Sequence, residues 1–179
     1  MKTPKITNVQ LRECKDSSYI KPIRMLFNEH EKQRSWDIIQ AHDSVSILLY
    51  HIQKESFVIV KQFRPAVYLK QTLENSTLQE DNDTGYTYEL CAGITDKQNK
   101  SLQKIAQEEI LEECGYDVPL EKITKITEFY SSVGFAGSKQ TLFFAEIVEE
   151  YKIGEGGGIN DENIEIILIP KAKAHAFIF

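Results

Sequence analysis

Cysteine is scarce in this sequence, and long hydrophobic runs are absent. Only three cysteines occur among 179 residues, at Cys14, Cys91 and Cys114, and none of their spacings is the short one of a zinc site or a small disulfide framework. No apolar run approaches the roughly 20 residues of a membrane span, and Met1–Lys5 lacks the apolar core of a signal peptide. We therefore expect reduced thiols and a cytoplasmic protein without a membrane partner.

Basic residues are also in deficit. Lys and Arg number 21 against 27 Asp and Glu, which gives a net charge of −6 and a pI near 5.3. Binding to a nucleic-acid backbone needs a basic face, so we expect no nucleic-acid partner. Hydrophobic residues make up 41% of the chain, which is enough for the core of one domain. An anionic ligand must then be received by local arginine, lysine and metal.

The most informative segment is an acidic helix. Ser101 is a suitable N-cap, and the pattern after it predicts a helix that runs to Cys114. At about 100° per residue, three glutamates near its end fall on the arc that carries three apolar residues one or two turns earlier. The glutamates are Glu109, Glu112 and Glu113, and the apolar residues are Leu102, Ile105 and Ala106. The inward face of this helix thus begins apolar and ends acidic.

Such a helix end is electrostatically unfavourable by itself. Carboxylates three or four residues apart repel each other by roughly a few tenths of a kcal/mol, and the negative end of the helix dipole adds to the cost. Oxygen ligands suit Mg²⁺ or Mn²⁺ better than zinc, and the four histidines are scattered. The alternative is a solvated helix face. The apolar start of the arc, together with the bracketing Gly93 and Gly115, favours a metal site.

Outside this helix the sequence predicts mainly strands and polar loops. Val45–His51 and Phe57–Phe63 form a predicted hairpin, and Pro65 ends its second strand. The segment 71–85 is polar and predicts a long loop, and Gly154–Gly158 predicts a flexible loop. The other predicted strands are 6–12, 19–28, 86–90, 123–130, 141–148 and 164–169. Elements in this order favour a mixed sheet covered by helices.

The acidic segment resembles the signature of the Nudix hydrolase family. The second half of that signature is matched by the run Glu109-Ile110-Leu111-Glu112-Glu113-Cys114-Gly115-Tyr116. The first half departs from it, because Gly93 lies one residue too far upstream. Asn99 and Lys100 stand where the family has its first glutamate, and Glu108 replaces an arginine that orients the other carboxylates. These departures leave the number of bound metals open.

Further segments resemble the UDP-sugar pyrophosphatase branch of that family, which is close to the ADP-ribose pyrophosphatases. The resemblance runs from about residue 10 to about residue 175. Its segments are Ser35–Asp37, His42–Val45, Val60–Tyr68, Glu89–Gly93, Val133–Thr141 and Gly156–Ile159. It implies an α/β/α sandwich with a mixed β-sheet over residues 44–179. It also implies an N-terminal antiparallel sheet in residues 1–43, through which two copies form a homodimer.

The resemblance assigns a metal site to the acidic helix end. It implies Glu109 and Glu113 as metal ligands, Glu112 as a further ligand or a partner of a metal-bound water, and the backbone carbonyl of Ala92 as a ligand from the preceding loop. Glu112 and Glu113 are also expected to act in catalysis. Side-chain spacing alone does not single out Ala92.

A general base is expected from a loop late in the chain, again by resemblance. Glu162 follows the glycine loop and is the best match, with Glu165 as the second choice. The alternative for either acid is that it only solvates the loop. A glycine-rich lead-in suits a loop that closes over a substrate.

Three residues are candidates for substrate contact. Arg64 follows a strand, and its guanidinium fork matches two phosphate oxygens; the alternative is a structural ion pair. Lys139 lies in the loop 134–140 and is a weaker candidate. Trp36 could stack on a base or sugar, although a single tryptophan is more often part of a core.

The function expected from the resemblance is Mg²⁺-dependent hydrolysis of a nucleoside diphosphate sugar. UDP-glucose would give UMP and glucose 1-phosphate. ADP-ribose is the nearest alternative substrate, and a catalytically silent protein that retains the nucleotide pocket is the alternative from another class. Members of this branch continue beyond the position of Phe179 into a closing helix, so Phe177 and Phe179 are expected to mark a truncated form or an atypical packing.

Overall fold

The computed structural model describes residues 6–74, 83–96, 99–159 and 162–178, and in these it forms nine strands and three α-helices. The strands are β1 (Lys21–Glu29), β2 (Lys32–Gln40), β3 (Ser44–His51), β4 (Ser56–Phe63), β5 (Tyr86–Glu89), β6 (Cys91–Ile94), β7 (Ile123–Ser131), β8 (Ser138–Ile147) and β9 (Ile164–Pro170). The helices are α1 (Pro65–Glu74), α2 (Leu102–Glu109) and α3 (Lys171–Ile178). No helix of the described part is long and apolar enough to cross a membrane.

Seven of these strands form one mixed sheet, as predicted. The order is β5-β4-β3-β8-β7, while β6 pairs with β3 and β9 pairs with β4. The β3–β8 pair is parallel and the other pairs are antiparallel. Residues of alternating parity on β3 and β4 point to opposite faces. Leu49 and Val58 belong to the core with α2, whereas Leu48 and Phe57 line an apolar cavity with α3. Helices therefore cover both faces, which confirms the predicted α/β/α sandwich.

The predicted N-terminal antiparallel sheet is also present. It consists of β1 and β2, in a register that places Met25 opposite Trp36. The predicted strand 19–28 corresponds to β1, but the strand predicted for 6–12 is wrong, because residues 6–12 have no regular structure. Strand β2 was not predicted, since its first three residues, Lys32–Arg34, are all polar and gave no hydrophobic pattern.

Two helices begin at sites where the sequence predicted only a stop. Pro65 is the first residue of α1, and a proline suits this position because the first N–H groups of a helix have no intrahelical partner. Helix α3 begins at Lys171, directly after Pro170, which is the last residue of β9. The predicted loop 71–85 is therefore wrong for 71–74, and 75–82 lie outside the described residues. Phe177 packs edge-on against Tyr88, and Phe179 also lies outside the described residues.

The acidic helix has the predicted start and an altered end. The Ser101 side chain caps α2 by accepting a hydrogen bond from the Lys104 N–H at 3.1 Å. Ile105 and Ala106 are buried as predicted, but Leu102 is exposed. The α-helix ends at Glu109 and continues as a π-helical turn, Ile110–Cys114. The buried residues of α2 pack on β3 and β8, so the acidic end of the helix is held against the middle of the sheet.

Candidate active site

The acidic end of the helix opens onto a cleft of about 500 Å³. The cleft lies where β3, β4 and β6 meet the π-helical turn and the segment after the glycine loop. Its lining is mostly polar and comprises Ser44, Gln62, Arg64, Glu89, Ala92, Gly93, Ile94, Asp96, Glu109, Glu112, Glu113, Gln140, Ile159 and Glu162. Six carboxylates and one arginine thus share a single concave surface.

Glu113 is the most buried of these carboxylates, with 5% of the residue exposed. One oxygen accepts a hydrogen bond from the Ala92 N–H at 3.1 Å, which ties the helix end to β6. Burial raises the pKa of Glu113 to about 7, although hydrogen bonds from the Cys91 side chain and the Ala92 N–H act in the opposite direction. A carboxylate held at this cost is typical of a functional site.

Gly93 makes room for Glu109. A Cβ atom at position 93 would lie 2.1 Å from the carboxyl carbon of Glu109, so no larger residue leaves this carboxylate where it stands. The pairing of Gly93 with Val45 places this glycine on β6, beside Ala92. The lack of a side chain therefore lets Glu109 lie against β6, and Ala92, which was predicted to lie in a loop, is part of this strand.

The glycine loop closes the end of the acidic helix. The N–H groups of Gly157 and Gly158 donate to the carbonyls of Glu113 and Glu112 at 2.8 and 3.0 Å. The last carbonyls of a helix have no intrahelical partner, and this loop supplies partners for two of them. Gly156 has a φ of 71°, and a Cβ atom there would lie 2.4 Å from the Glu113 carbonyl oxygen. The close approach therefore requires glycine.

The same loop brings Glu162 to the cleft. Glu162 accepts a hydrogen bond from the Ile159 N–H at 3.0 Å, and the Ile164 N–H donates to the Gly157 carbonyl at 3.2 Å. Glu165 lies on β9 opposite Lys61 and does not line the cleft. Of the two acids considered from sequence, only Glu162 is placed beside the helix carboxylates.

Arg64 reaches the cleft and also forms an ion pair. Its Nε donates to Glu89 Oε1 at 2.7 Å and its Nη2 to Glu89 Oε2 at 2.5 Å. The Glu89 carboxylate raises the pKa of Arg64 further above its ordinary value, so the guanidinium is charged. The two roles considered from sequence, phosphate contact and ion pair, are therefore compatible in this geometry.

The chain is similar along most of its length to known pyrophosphatases. The uridine diphosphate glucose pyrophosphatase of Bos taurus is 35% identical over 190 residues, which cover 97% of this chain and 86% of that protein. The chain belongs to the Nudix hydrolase family. The enzyme of the same name from Mus musculus is 34% identical over the same shares. A GDP-mannose pyrophosphatase of Citrobacter koseri is 30% identical over 142 residues, 79% of this chain and 67% of that protein. No protein-family model matches the chain.

Two predicted substrate residues of this Nudix hydrolase lie outside the cleft. Trp36 is 55% exposed on β2, and its indole N–H donates to the Gly134 carbonyl at 2.8 Å. Lys139 lies beside Glu128 on the neighbouring strand, at 3.7 Å. Neither lines the cleft within one chain, so their contact with substrate stays a prediction.

Several residues of the cleft were not predicted from the sequence. Glu89 was part of a recognised segment but received no role, although an acid two residues before β6 could have been singled out. Gln62 lies on β4, two residues before Arg64, and strand alternation predicts that the two side chains share a face. Ser44 and Gln140 join the cleft through the parallel β3–β8 pair. No local pattern in the sequence predicts that pair.

The site suits the divalent metal that Nudix pyrophosphatases generally use. The lining offers carboxylates and backbone carbonyls, with no histidine or thiol among its described members, and these are the donors that a hard cation prefers. The space at Gly93 admits the Glu109 carboxylate next to Ala92. Within the described residues no three His, Cys, Asp or Glu side chains are arranged to hold a metal ion.

Proposed function

We propose that this Nudix hydrolase cleaves the diphosphate of a nucleoside diphosphate sugar, converting UDP-glucose and water to UMP and glucose 1-phosphate. The observation that carries the proposal is the meeting of Glu109, Glu112, Glu113, Glu162 and Arg64 at one cleft. The relative that shares 35% identity over 97% of this chain is named a uridine diphosphate glucose pyrophosphatase, which supports the choice of UDP-glucose over other diphosphates.

Metal binding and phosphate binding are assigned to different residues of the cleft. Glu109, Glu113 and the Ala92 carbonyl would hold Mg²⁺, or Mn²⁺ in its place, and Glu112 would be a further ligand or hold a metal-bound water. When bound, the ion supplies positive charge to the phosphate oxygens. Arg64 adds a second positive charge on the β4 side of the cleft, because a guanidinium binds two phosphate oxygens at once.

Glu162 is the proposed general base. A base must lie within hydrogen-bond reach of the water that it deprotonates, and Glu162 is the acid that the late loop contributes to this cleft. The Ile159 N–H binds one carboxylate oxygen, Oε2. The water proton would go to Oε1, and the water oxygen would attack a phosphorus atom of the diphosphate while the other phosphate departs.

A substrate comparison tests this function. The purified protein is incubated with UDP-glucose, GDP-mannose or ADP-ribose in Mg²⁺, with a matched sample in excess chelator, and the products are separated by ion-exchange chromatography. We expect UMP and glucose 1-phosphate to form fastest, and only when Mg²⁺ is present. Faster turnover of GDP-mannose or ADP-ribose would reassign the substrate, and no turnover of any of the three would favour the silent nucleotide-binding protein.

We also propose that residues 1–43 are a dimerisation segment and that residues 44–179 form the hydrolase domain. The β1–β2 hairpin presents Ile23, Met25 and Trp36 on one face, each between 45% and 55% exposed. Contiguous apolar surface of this kind is typical of an interface. A second copy packed there would bring its own residues towards Trp36.

Light scattering tests the dimer. We expect twice the chain mass for the parent protein and the single mass for Met25→Lys, because a charge would be buried in the interface. The substitution Lys32→Met, at the exposed end of the same hairpin, is the control and should remain dimeric. A single-chain mass for the parent protein at micromolar concentration would contradict the proposal.

A further inference from the structure

Both oxygens of the Glu89 carboxylate accept hydrogen bonds from neighbouring side chains. Arg64 donates to both oxygens at 2.7 and 2.5 Å, and Gln62 Nε2 donates to Oε2 at 3.4 Å. The Thr87 hydroxyl donates to Oε1 in a short hydrogen bond. Four donors therefore converge on one carboxylate, which leaves it little capacity to bind a metal ion or a water.

The charge of Glu89 is preserved despite its partial burial, with 25% of the side chain exposed. Burial raises the pKa of Glu89, but the hydrogen bonds from Arg64 and Thr87 together outweigh it, so the pKa lies below its ordinary value. Glu89 is therefore an anion throughout the neutral range. A permanently charged carboxylate with four donors is suited to hold a neighbour in place and is poorly suited to exchange protons.

The contact uses only one edge of the Arg64 guanidinium. A guanidinium is a planar group with five N–H donors, and the edge formed by Nε and Nη2 faces Glu89. The second edge, formed by Nη1 and Nη2, carries the remaining donors and has the same fork geometry. This second edge can bind two phosphate oxygens while the first edge remains bound to Glu89.

The backbone around the pair is held by regular structure. Gln62 lies opposite Thr87 in the antiparallel β4–β5 pair, and the Arg64 N–H donates to the Gly85 carbonyl at 2.7 Å. Residues on paired strands keep their positions better than residues on loops. The Arg64–Glu89 contact is thus built on the sheet, independently of the acidic helix.

We propose that Glu89 is a positioning residue, which fixes Arg64 by one edge of its guanidinium so that the other edge receives the diphosphate. The proposal rests on the proposed function, because it takes a diphosphate as the ligand of the cleft. Without Glu89, the flexible arginine side chain would have to be ordered when the ligand binds, and that ordering weakens binding. Arg64 would also be free to pair with Glu113 or Glu162, the two other carboxylates that act on its charge.

A double-mutant cycle on ligand binding tests this proposal without depending on turnover. The probe is UDP in Mg²⁺, measured by isothermal titration calorimetry on the full chain. The variants are Glu89→Ala, Arg64→Ala and the double variant. We expect Glu89→Ala to weaken UDP binding about tenfold and Arg64→Ala to weaken it more. In the Arg64→Ala background the Glu89 substitution should change binding less than about threefold, because its effect is exerted through Arg64.

Two further variants provide a substitute for Glu89→Ala and a control. Glu89→Gln keeps the size of the side chain and removes its charge, so it serves if Glu89→Ala does not fold, and it should show the same coupling to Arg64. Glu150→Gln removes an exposed carboxylate that lies on the 3₁₀ turn Glu149–Tyr151, and it should bind UDP like the parent protein.

The outcomes separate this proposal from the proposed function. Equal losses of UDP affinity from Glu89→Ala in the parent protein and in the Arg64→Ala variant would overturn the positioning role and leave the hydrolase function in place. Lack of UDP binding by the parent protein would overturn both. Coupled losses in a protein that fails to hydrolyse UDP-glucose would support the positioning role and overturn only the hydrolase function.

Discussion

Replacing Glu113 with glutamine should lower the rate of UDP-glucose hydrolysis at least about 100-fold. Glutamine keeps the shape of the side chain and can still accept the hydrogen bond from the Ala92 N–H, but it removes the negative charge that would hold a cation in the cleft. The measurement is the initial rate of UMP release at saturating Mg²⁺. Glu150→Gln is the matched control and should release UMP at the parent rate.

The same substitution, which should lower activity, is expected to raise stability relative to the parent protein as the pH rises. The pKa of Glu113 is about 7 in the folded protein, against an ordinary value of 4.5, so the folded state binds this proton more tightly than the unfolded state. The parent protein without metal should therefore lose stability as the pH rises from 4.5 to 7. Glu113→Gln lacks this loss, so its melting temperature relative to the parent should rise between pH 5 and pH 8 in chelator.

Two results would contradict this account of Glu113. Equal UMP release by Glu113→Gln and the parent protein would remove the carboxylate from catalysis. A melting-temperature difference that does not change with pH would show that the carboxyl group titrates normally. Low activity together with a lower melting temperature at every pH would indicate a damaged fold.

Replacing Gly156 with alanine should destabilise the folded protein by about 2 to 4 kcal/mol. The φ of 71° is strained for any residue with a side chain, and the new Cβ atom would lie 2.4 Å from the Glu113 carbonyl oxygen. Because that atom is backbone, the loop must move away from the helix end. Thermal unfolding should show a melting temperature lower by roughly 5 to 15 °C.

A neighbouring glycine supplies the control for this prediction. Gly154 has open space around its Cβ position, so Gly154→Ala should change the free energy of unfolding by less than about 1 kcal/mol. Similar melting temperatures for the two variants would mean that the glycine loop is not fixed to the helix end. We also expect Gly156→Ala to reduce UMP release, since the same loop carries Glu162.

The predicted strands were most accurate where a strand is buried. Residues of β3 and β4 alternate between two covered faces, and each strand contains a run of four apolar residues, 47–50 and 57–60, so hydrophobicity alone located them within one residue. Strand β2 is largely exposed, and its side chains are therefore free to be polar and carry no pattern. Helices α1 and α3 were missed because a proline at a helix start and a proline at a strand end look alike in sequence.

In the candidate site, too, some features could be predicted from the sequence and others could not. The acidic helix end and the glycine loop could be found from sequence because each is a short run whose chemistry is local. The pairing of Arg64 with Glu89 joins the residue directly after β4 to the last residue of β5, and the position of Glu162 at the cleft depends on how the loop before β9 turns. Sequence spacing sets the direction of a side chain only within one element, so the Arg64–Glu89 contact could not be predicted, and the preference for Glu162 came from the resemblance and not from spacing.

What the sequence alone determined is the chemistry: carboxylates concentrated at the end of a helix that begins apolar, a glycine before that helix, and a resemblance to Nudix hydrolases that the relatives confirm. What only the tertiary structure decided is which groups share the cleft. Arg64, Glu89, Glu113 and Glu162 come from four separate parts of the chain, and the pairing of β4 with β5 and the docking of the glycine loop on the helix end bring them together. These contacts depend on backbone hydrogen bonds between distant residues, which leave no trace in local composition.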